Sequence, residues 1–519
     1  MRAGIAIGLG GARHVVAQRN SFKSNSSFFR MLAVGAVGAQ AVQKEFAKLG
    51  HSLVELERGS LSTRIWRDVK RKRVRIPDLC CTLCGVRIES RAKTAPDLSM
   101  SHSPSVAERA WHYGMLNEDL VAFPIVEPTE TVWSDGGLRD LRSMWRERTV
   151  TTWRLAGYVN VFTVDAFKAV APKQKEAKGV SEGSEVQVQW KAKFAPWHGS
   201  IINTTKNRVS YTQDGGPPIK RFLLGVDERA FLKAGDEFDW NQVVAGQVAP
   251  VPRSLLACKG GCGAEEVDAM MHSRERTVRF TGAKLARIGK HSTLAKTVRE
   301  LADDPAEDPY VRMEARCFMC VVAGESADAQ FRATLLEDTD AQMRLEAAVT
   351  LAETHTPSAF DLLRCVLHDP AQPLFLRSAC AWAIGCHGTQ QAAECLVQAF
   401  GDVALEIRDE ALTAVADLGA VAAVPLVQSL SASSNMIAAG AAESLRRIAN
   451  VPAKDIASLA ESSKSTWPAW TLAHLPRDTV QPLIAALQSR RPDVHFAVSV
   501  LWSFLDSWIA DTWTPRATP

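Results

Sequence analysis

An apolar residue followed by arginine recurs through the second half of the chain at a nearly constant interval. The pairs are Val278-Arg279, Val311-Arg312, Met343-Arg344, Leu376-Arg377 and Ile407-Arg408, at steps of 33, 32, 33 and 31 residues. Ile437 continues the register 30 residues on, and Trp470 another 33. Four residues after successive anchors stand Ala315, Ala347, Cys380, Ala411 and Ala441. A period of this length holds one helix pair, and a lone pair cannot bury its own apolar face. Residues 263–519 are therefore expected to stack into an all-α solenoid.

Half of the 519 residues remain, enough for further domains. With 46% hydrophobic and 23% charged residues, the composition excludes a chain disordered throughout. The longest apolar run, near Met31–Val42, is about 12 residues against the roughly 20 that a spanning helix needs, so no membrane association is expected. Eleven cysteines are too few for a disulfide scaffold and suit a reducing cytoplasm. The first residues lack the apolar core and cleavage site of a signal peptide, and 1–25 read as a flexible tail.

Charge is unevenly placed. Residues 1–126 hold 19 Lys and Arg against 10 Asp and Glu, and the rest holds 42 against 47. A basic head suggests a polyanionic partner. The fourteen tryptophans are scattered and read mostly as core. Between head and solenoid, residues 128–262 read as a small β-rich domain. Val186, Val188, Trp190, Ala192 and Phe194 alternate with polar residues, a second strand covers Arg208–Thr212, and Ile219–Leu224 resumes after the turn at Asp214–Pro218.

Within residues 26–127 the spacing predicts a helix over 26–49 with the stripe Val42, Phe46, Leu49 and a stop at Gly50. Strands follow at His51–Leu56, Arg75–Leu79 and Val86–Lys93, then a helix at Ser105–Leu116 and a strand at Leu120–Val126. Asp78 ends one strand of a hairpin and Glu89 lies on the other, so both can reach one hard divalent cation, Mg²⁺ or Mn²⁺. Glu89, Arg91 and Lys93 share a face by strand alternation. This sets two cations beside the acids to polarise water and stabilise a phosphorane-like charge. Arg64, Arg67, Lys70, Arg71, Lys72, Arg73 and Arg75, seven cations in twelve residues, form a candidate phosphate contact; the alternative is a solvated face.

Cys81-x-x-Cys84-Gly85 has the spacing of a zinc knuckle, and Cys258-x-x-x-Cys262-Gly263 is knuckle-like with one extra residue. Together they are a candidate structural Zn²⁺ site; His102 or His112 are weaker supplements, and free thiols are the alternative. Cys80, and Cys317, Cys320, Cys365, Cys380, Cys386 and Cys395 in the solenoid, read as buried apolar thiols. No phosphate-binding loop or serine nucleophile elbow occurs.

Two resemblances follow. Ile407-Arg408-Asp409-Glu410-Ala411-Leu412 with Leu418-Gly419 behind it resembles HEAT repeats of the short, lyase-like type, and Asp308 and Asp340, each four residues before its arginine, fit that family's Asp–Arg ladder. The α-β-β-β-α-β order of the head, with Pro77-Asp78 and Glu89-Ser90-Arg91, resembles the PD-(D/E)xK restriction-endonuclease-like fold. That resemblance implies a metal-dependent endonuclease acting on nucleic acid, DNA before RNA, in bacterial restriction or phage defence. It also implies Glu45 as an extra metal-binding carboxylate. Arg91 departs from the family's usual lysine and cannot readily serve as a base. Either Lys93 takes that role, or Arg91 acts only electrostatically, or the fold is kept as a binding module. The rival readings are an inactive nucleic-acid-binding adaptor and a HEAT-repeat scaffold with a protein partner on the solenoid.

Overall fold

The structure, a computed structural model, describes residues 26–58, 75–132, 149–176, 186–214, 216–448 and 450–513. The expected tail and six of the seven clustered cations, Arg64 to Arg73, lie outside the described residues.

The chain is multidomain, with a helical HEAT-like solenoid behind a β-rich N-terminal region. The repeat register maps directly onto the helices. Val278, Val311, Met343, Leu376, Ile407 and Ile437 are each the third residue of the first helix of a pair: Arg276–Ile288, Pro309–Val321, Ala341–Leu351, Leu374–Cys386, Leu405–Leu418 and Asn435–Arg447. The small residues Ala315, Ala347, Cys380, Ala411 and Ala441 are fully buried, which lets successive first helices pack closely. The anchor arginines serve backbone chemistry. Arg344 Nε donates to Leu335 O at 2.8 Å, Arg377 Nε to Leu367 O at 2.8 Å and Arg408 Nη1 to Asp402 O at 2.9 Å. Each cation thus satisfies a carbonyl that the end of the preceding repeat leaves without a helical partner. Asp308 and Asp340 work as N-caps, accepting from the Tyr310 and Gln342 amides, and Asp308 also pairs at 3.0 Å with Arg276 of the preceding repeat.

Two expectations for the solenoid change. Leu405–Ser429 is long and apolar enough, by length and composition, to cross a membrane. In the fold it breaks at Gly419, which has φ 58°, and buries Ile407, Ala411, Ala414, Val415 and Leu426 in the stack. Cys365 and Cys386 are exposed, whereas Cys317, Cys320, Cys380 and Cys395 are buried as expected.

In the head, α1 (Ser26–Ala47) lies on a five-stranded sheet. Its strands are β1 (Leu53–Glu55), β2 (Leu79–Cys81), β3 (Arg87–Ser90), β5 (Leu120–Phe123) and β8 (Asn160–Thr163), neighbours in that order. The first three form an antiparallel meander, and β5 pairs parallel to β3, with Glu89 opposite Val121. Val42 and Phe46 of α1 pack on Leu53, Leu79, Cys81 and Ile88. At Gly38 the helix passes so close that a Cβ would sit 2.4 Å from the Ala92 Cβ. Gly50, with φ 84°, ends the helix as expected.

The crossover from β3 to β5 does not carry the expected helix. Ser105–Leu116 holds only a 3₁₀ turn at Ala107–Arg109, and Gly114 presses against the Arg75 carbonyl, where a Cβ would lie 1.8 Å away. Instead the crossover contributes β4 (Leu98–His102), which pairs with β10 (Val186–Trp190), itself paired with β9 (Lys173–Glu176). The expected boundary at 127/128 therefore runs through shared sheets, because β8, β9 and β10 complete sheets begun in the head. The rest of the β region holds a hairpin of β6 (Val126–Val132) and β7 (Thr149–Leu155), and two sheets over 192–246.

The sheet face away from α1 docks on the solenoid. Leu56, Ile76 and Cys80 share a core with Val267, Met271, Phe280 and Leu285. Arg87 forks onto Asp119, at 2.8 and 2.5 Å, and reaches Thr277 Oγ1 at 3.3 Å. Arg58, just after β1, enters the solenoid to bind Glu314 and, at 2.8 Å, Glu353. Arg287 binds the same two acids, at 2.7 and 2.5 Å.

Candidate functional site

Alternation along the meander decides which side chains share a face. Leu79, Cys81 and Ile88 lie under α1. Cys80 and Arg87 face the solenoid side. Extending the pairing of Leu79 with Ile88 by one residue sets Asp78 directly opposite Glu89, both on the face away from α1. Asp78 is buried, and its Oδ2 accepts from the Ser90 amide at 2.9 Å. The Asp78 carbonyl accepts from the Leu56 amide at 2.8 Å, which fixes the acid at the junction of β1 and β2. Glu89 forms an ion pair with Arg91 at 2.9 Å. Arg91 Nε and Ser90 Oγ are buried and make no hydrogen bond.

Lys93 follows on the same face. Its Nζ donates to Ser99 O and, at 3.2 Å, to Ser99 Oγ, and Ser99 is bonded in turn to Asp97 and Gln187. Burial brings the Lys93 ammonium down to about 8; Asp97 opposes the shift and the Arg91 charge adds to it. Arg75, the one described member of the basic run, is exposed with φ 62°, and its amide donates to Glu57 Oε1 at 3.4 Å.

Glu45 does not join the pair. It sits on α1, over the opposite face of the sheet, and binds Lys48 at 2.5 Å and Arg253 at 3.3 Å. The resemblance implies Glu45 as an extra metal-binding carboxylate, but a helix residue can reach only the sheet face its helix covers. Two protein carboxylates remain, Asp78 and Glu89.

The cysteines assemble differently from the expected set. Cys81, Cys84 and Cys258 come together with His51, and all four ligand atoms lie within 4.8 Å of one another. Cys81 Sγ and Cys258 Sγ are 3.9 Å apart, and Cys84 Sγ lies 3.5 Å from His51 Nδ1. Cys262 stands outside this group. Its amide donates to Leu83 O at 2.9 Å, and its thiol packs beside Gly85 and the core that holds Cys80, next to the group but not in it. The residue missed is His51; its one sequence signal is its place directly after the helix stop at Gly50. Burial opposes ionisation of Cys81, but bonds from the Leu83, Cys84 and Ser52 amides hold its thiol at about 7. Burial pushes Cys84 up to about 12. His102 and His112 lie apart from this group, near Trp111.

Among known families, the HEAT repeats profile matches residues 329–416. No curated protein matches the chain. Solved structures resemble the solenoid in fold alone. Human deoxyhypusine hydroxylase in complex with glycerol is 18% identical, covering 42% of this chain and 86% of its own, with TM-score 0.21. The complex of CpcE and CpcF of phycocyanin lyase from Nostoc is 16% identical, covering 47% and 94%, with TM-score 0.19. A designed armadillo repeat protein in complex with the peptide (KR)4 is 16% identical, covering 46% and 98%, with TM-score 0.18.

Proposed function

We propose, taking the C-terminal half as a HEAT-type solenoid, that the head hydrolyses phosphodiester bonds of nucleic acid with a divalent cation held by Asp78 and Glu89. The observation that supports this reading is the strand register: extended by one residue it opposes the two acids, and alternation carries Arg91, paired with Glu89, and Lys93, bridged to Ile125, along that same face. Magnesium keeps most of its waters and takes one or two carboxylates together with phosphate oxygens, so two acids suffice. Bound there, the ion would polarise the phosphate and acidify a water.

The chain's own groups supply the rest. Arg91 keeps its charge and can meet the developing phosphoryl charge. Lys93, neutral above about 8, can accept the proton of the attacking water. The sign follows from the lowered value: below pH 8 the amine is protonated and idle. Cleavage is therefore expected to rise with pH through about 8 and then level, and Lys93→Met should lose that rise. A wild-type rate flat from pH 6.5 to 9 would remove Lys93 as the base. The surplus of basic residues in the head favours a nucleic-acid substrate, with the solenoid gripping the duplex or a partner protein.

A second reading, an inactive fold kept for binding, is favoured by one feature: Arg91 neutralises Glu89 directly, at 2.9 Å. Incubation of the full chain with single- and double-stranded DNA and RNA, with and without Mg²⁺, separates the two. Cation-dependent fragments support hydrolysis. Salt-sensitive binding without fragments supports the second reading.

A further inference from the structure

Three distant stretches of chain converge beneath α1. The corner after the helix brings His51, the turn between β2 and β3 brings Cys81 and Cys84, and the segment leading from the β region into the solenoid brings Cys258. His51 and Cys81 are buried, and Cys84 and Cys258 are half-buried. Such a gathering of three thiols and an imidazole is unusual for apolar packing.

The spacing has a specific meaning. Tetrahedral zinc with Zn–S near 2.3 Å and Zn–N near 2.0–2.1 Å places two sulfurs about 3.8 Å apart, and a sulfur and a nitrogen about 3.6 Å apart. The observed edges are 3.9 Å between Cys81 and Cys258 and 3.5 Å between Cys84 and His51. A disulfide would need its sulfurs about 2.05 Å apart.

The surroundings are prepared for a cation. The second ring nitrogen, His51 Nε2, lies 2.7 Å from the Leu256 carbonyl. Donation there assigns the proton to Nε2 and leaves the Nδ1 lone pair facing the thiols, as the outer contact of a metal-bound histidine does. The Leu83 amide points at Cys81 Sγ at 3.4 Å. Gly85, with φ 73°, closes the turn in a conformation that favours glycine. The Cys258 amide is tied to Leu49 O at 2.9 Å, so both ends of the gathering are fixed by backbone bonds.

We propose that His51, Cys81, Cys84 and Cys258 form a structural zinc site that clips the solenoid's entry segment to the head. Four protein ligands leave no open position, so the site binds metal for structure and not for catalysis. The clip spans 177 residues between Cys81 and Cys258. It lies on the α1 side of the sheet, whereas Asp78 and Glu89 lie on the other. This inference does not rest on the proposed hydrolysis, and each can fail alone.

The test is metal analysis of the purified full-length chain and of single variants. Wild type and Cys262→Ser are each expected to carry one equivalent of zinc, and His51→Ala and Cys258→Ser to lose most of it. Because a ligand variant can fail to fold, the second measurement uses wild type and Cys262→Ser only, exchanged to Co²⁺. Both should show the same thiolate charge-transfer bands and the intense visible bands of a tetrahedral site. Wild-type protein that neither holds zinc nor takes it up from an equimolar solution overturns the proposal. So does loss of zinc or of the cobalt spectrum in Cys262→Ser, which would put Cys262 in the ligand set.

Discussion

Asp78→Asn and Glu89→Gln should each lower cation-dependent cleavage by about a thousandfold while leaving the fold intact. A bound cation contributes several kcal/mol of transition-state stabilisation, and each 1.36 kcal/mol is tenfold in rate. Either substitution keeps size and shape but removes one of the two anionic ligands on that face. In Asp78→Asn the side-chain carbonyl oxygen can still accept from the Ser90 amide, so the hairpin should hold; unchanged circular dichroism and melting would establish that. Glu89→Gln also frees Arg91 from its partner, so phosphate binding should be retained or tightened even as cleavage falls. Cleavage that survives both substitutions would show that the opposed acids are not the metal ligands.

The second large effect concerns the joint between head and solenoid. Arg58→Met should destabilise the protein by roughly 3–5 kcal/mol, the usual result of removing one partner from a buried ion network. Glu314 is wholly buried and held by Arg58 and Arg287. Burial opposes its ionisation, and Arg287, Arg58 and Lys284 overcome that, so its carboxyl titrates below the ordinary range. A lowered carboxyl contributes stability that is present at neutral pH and lost as pH falls through the folded value. The Arg58→Met loss should therefore be full at pH 7 and shrink in acid. Pairing Arg58→Met with Glu314→Gln should recover part of it, because the anion left behind is what makes the single change severe. Denaturant titrations at pH 7 and pH 4 read both; a loss below about 1 kcal/mol at pH 7 would mean that the network does not hold the joint.

The solenoid was legible because its signal is local and repeated. Each anchor-arginine pair falls at the same place in a helix pair, and the burial of Ala347, Cys380 and Ala411 follows from the interval alone. The arginines' contacts were less legible, since a sequence shows a charge but not the carbonyl above it. In the head, α1 and the meander were readable from periodicity and from Gly50. The absent second helix was not, because Gly114 is fixed by its contact with Arg75, far away in sequence. The false boundary after 127 has the same origin: β4 finds its partner at 186–190, and no local pattern announces a strand pairing across that distance. Strand alternation predicts Glu89, Arg91 and Lys93 on one face, and the hairpin register, known only from the fold, sets Asp78 opposite Glu89. Glu45 failed because the face that α1 covers is a tertiary fact. Zinc-knuckle spacing found three of the four clustered ligands, and a lone histidine beside a helix stop gave no comparable signal.

The hydrolysis proposed for the head requires one divalent ion held between Asp78 and Glu89. Titration of the full chain with Mn²⁺, followed by electron paramagnetic resonance of the free ion, tests it without any substrate. Wild type should bind one Mn²⁺ that the Asp78→Asn/Glu89→Gln double variant does not, at a level unchanged by Glu45→Gln. Equal Mn²⁺ binding by wild type and the double variant would contradict the account.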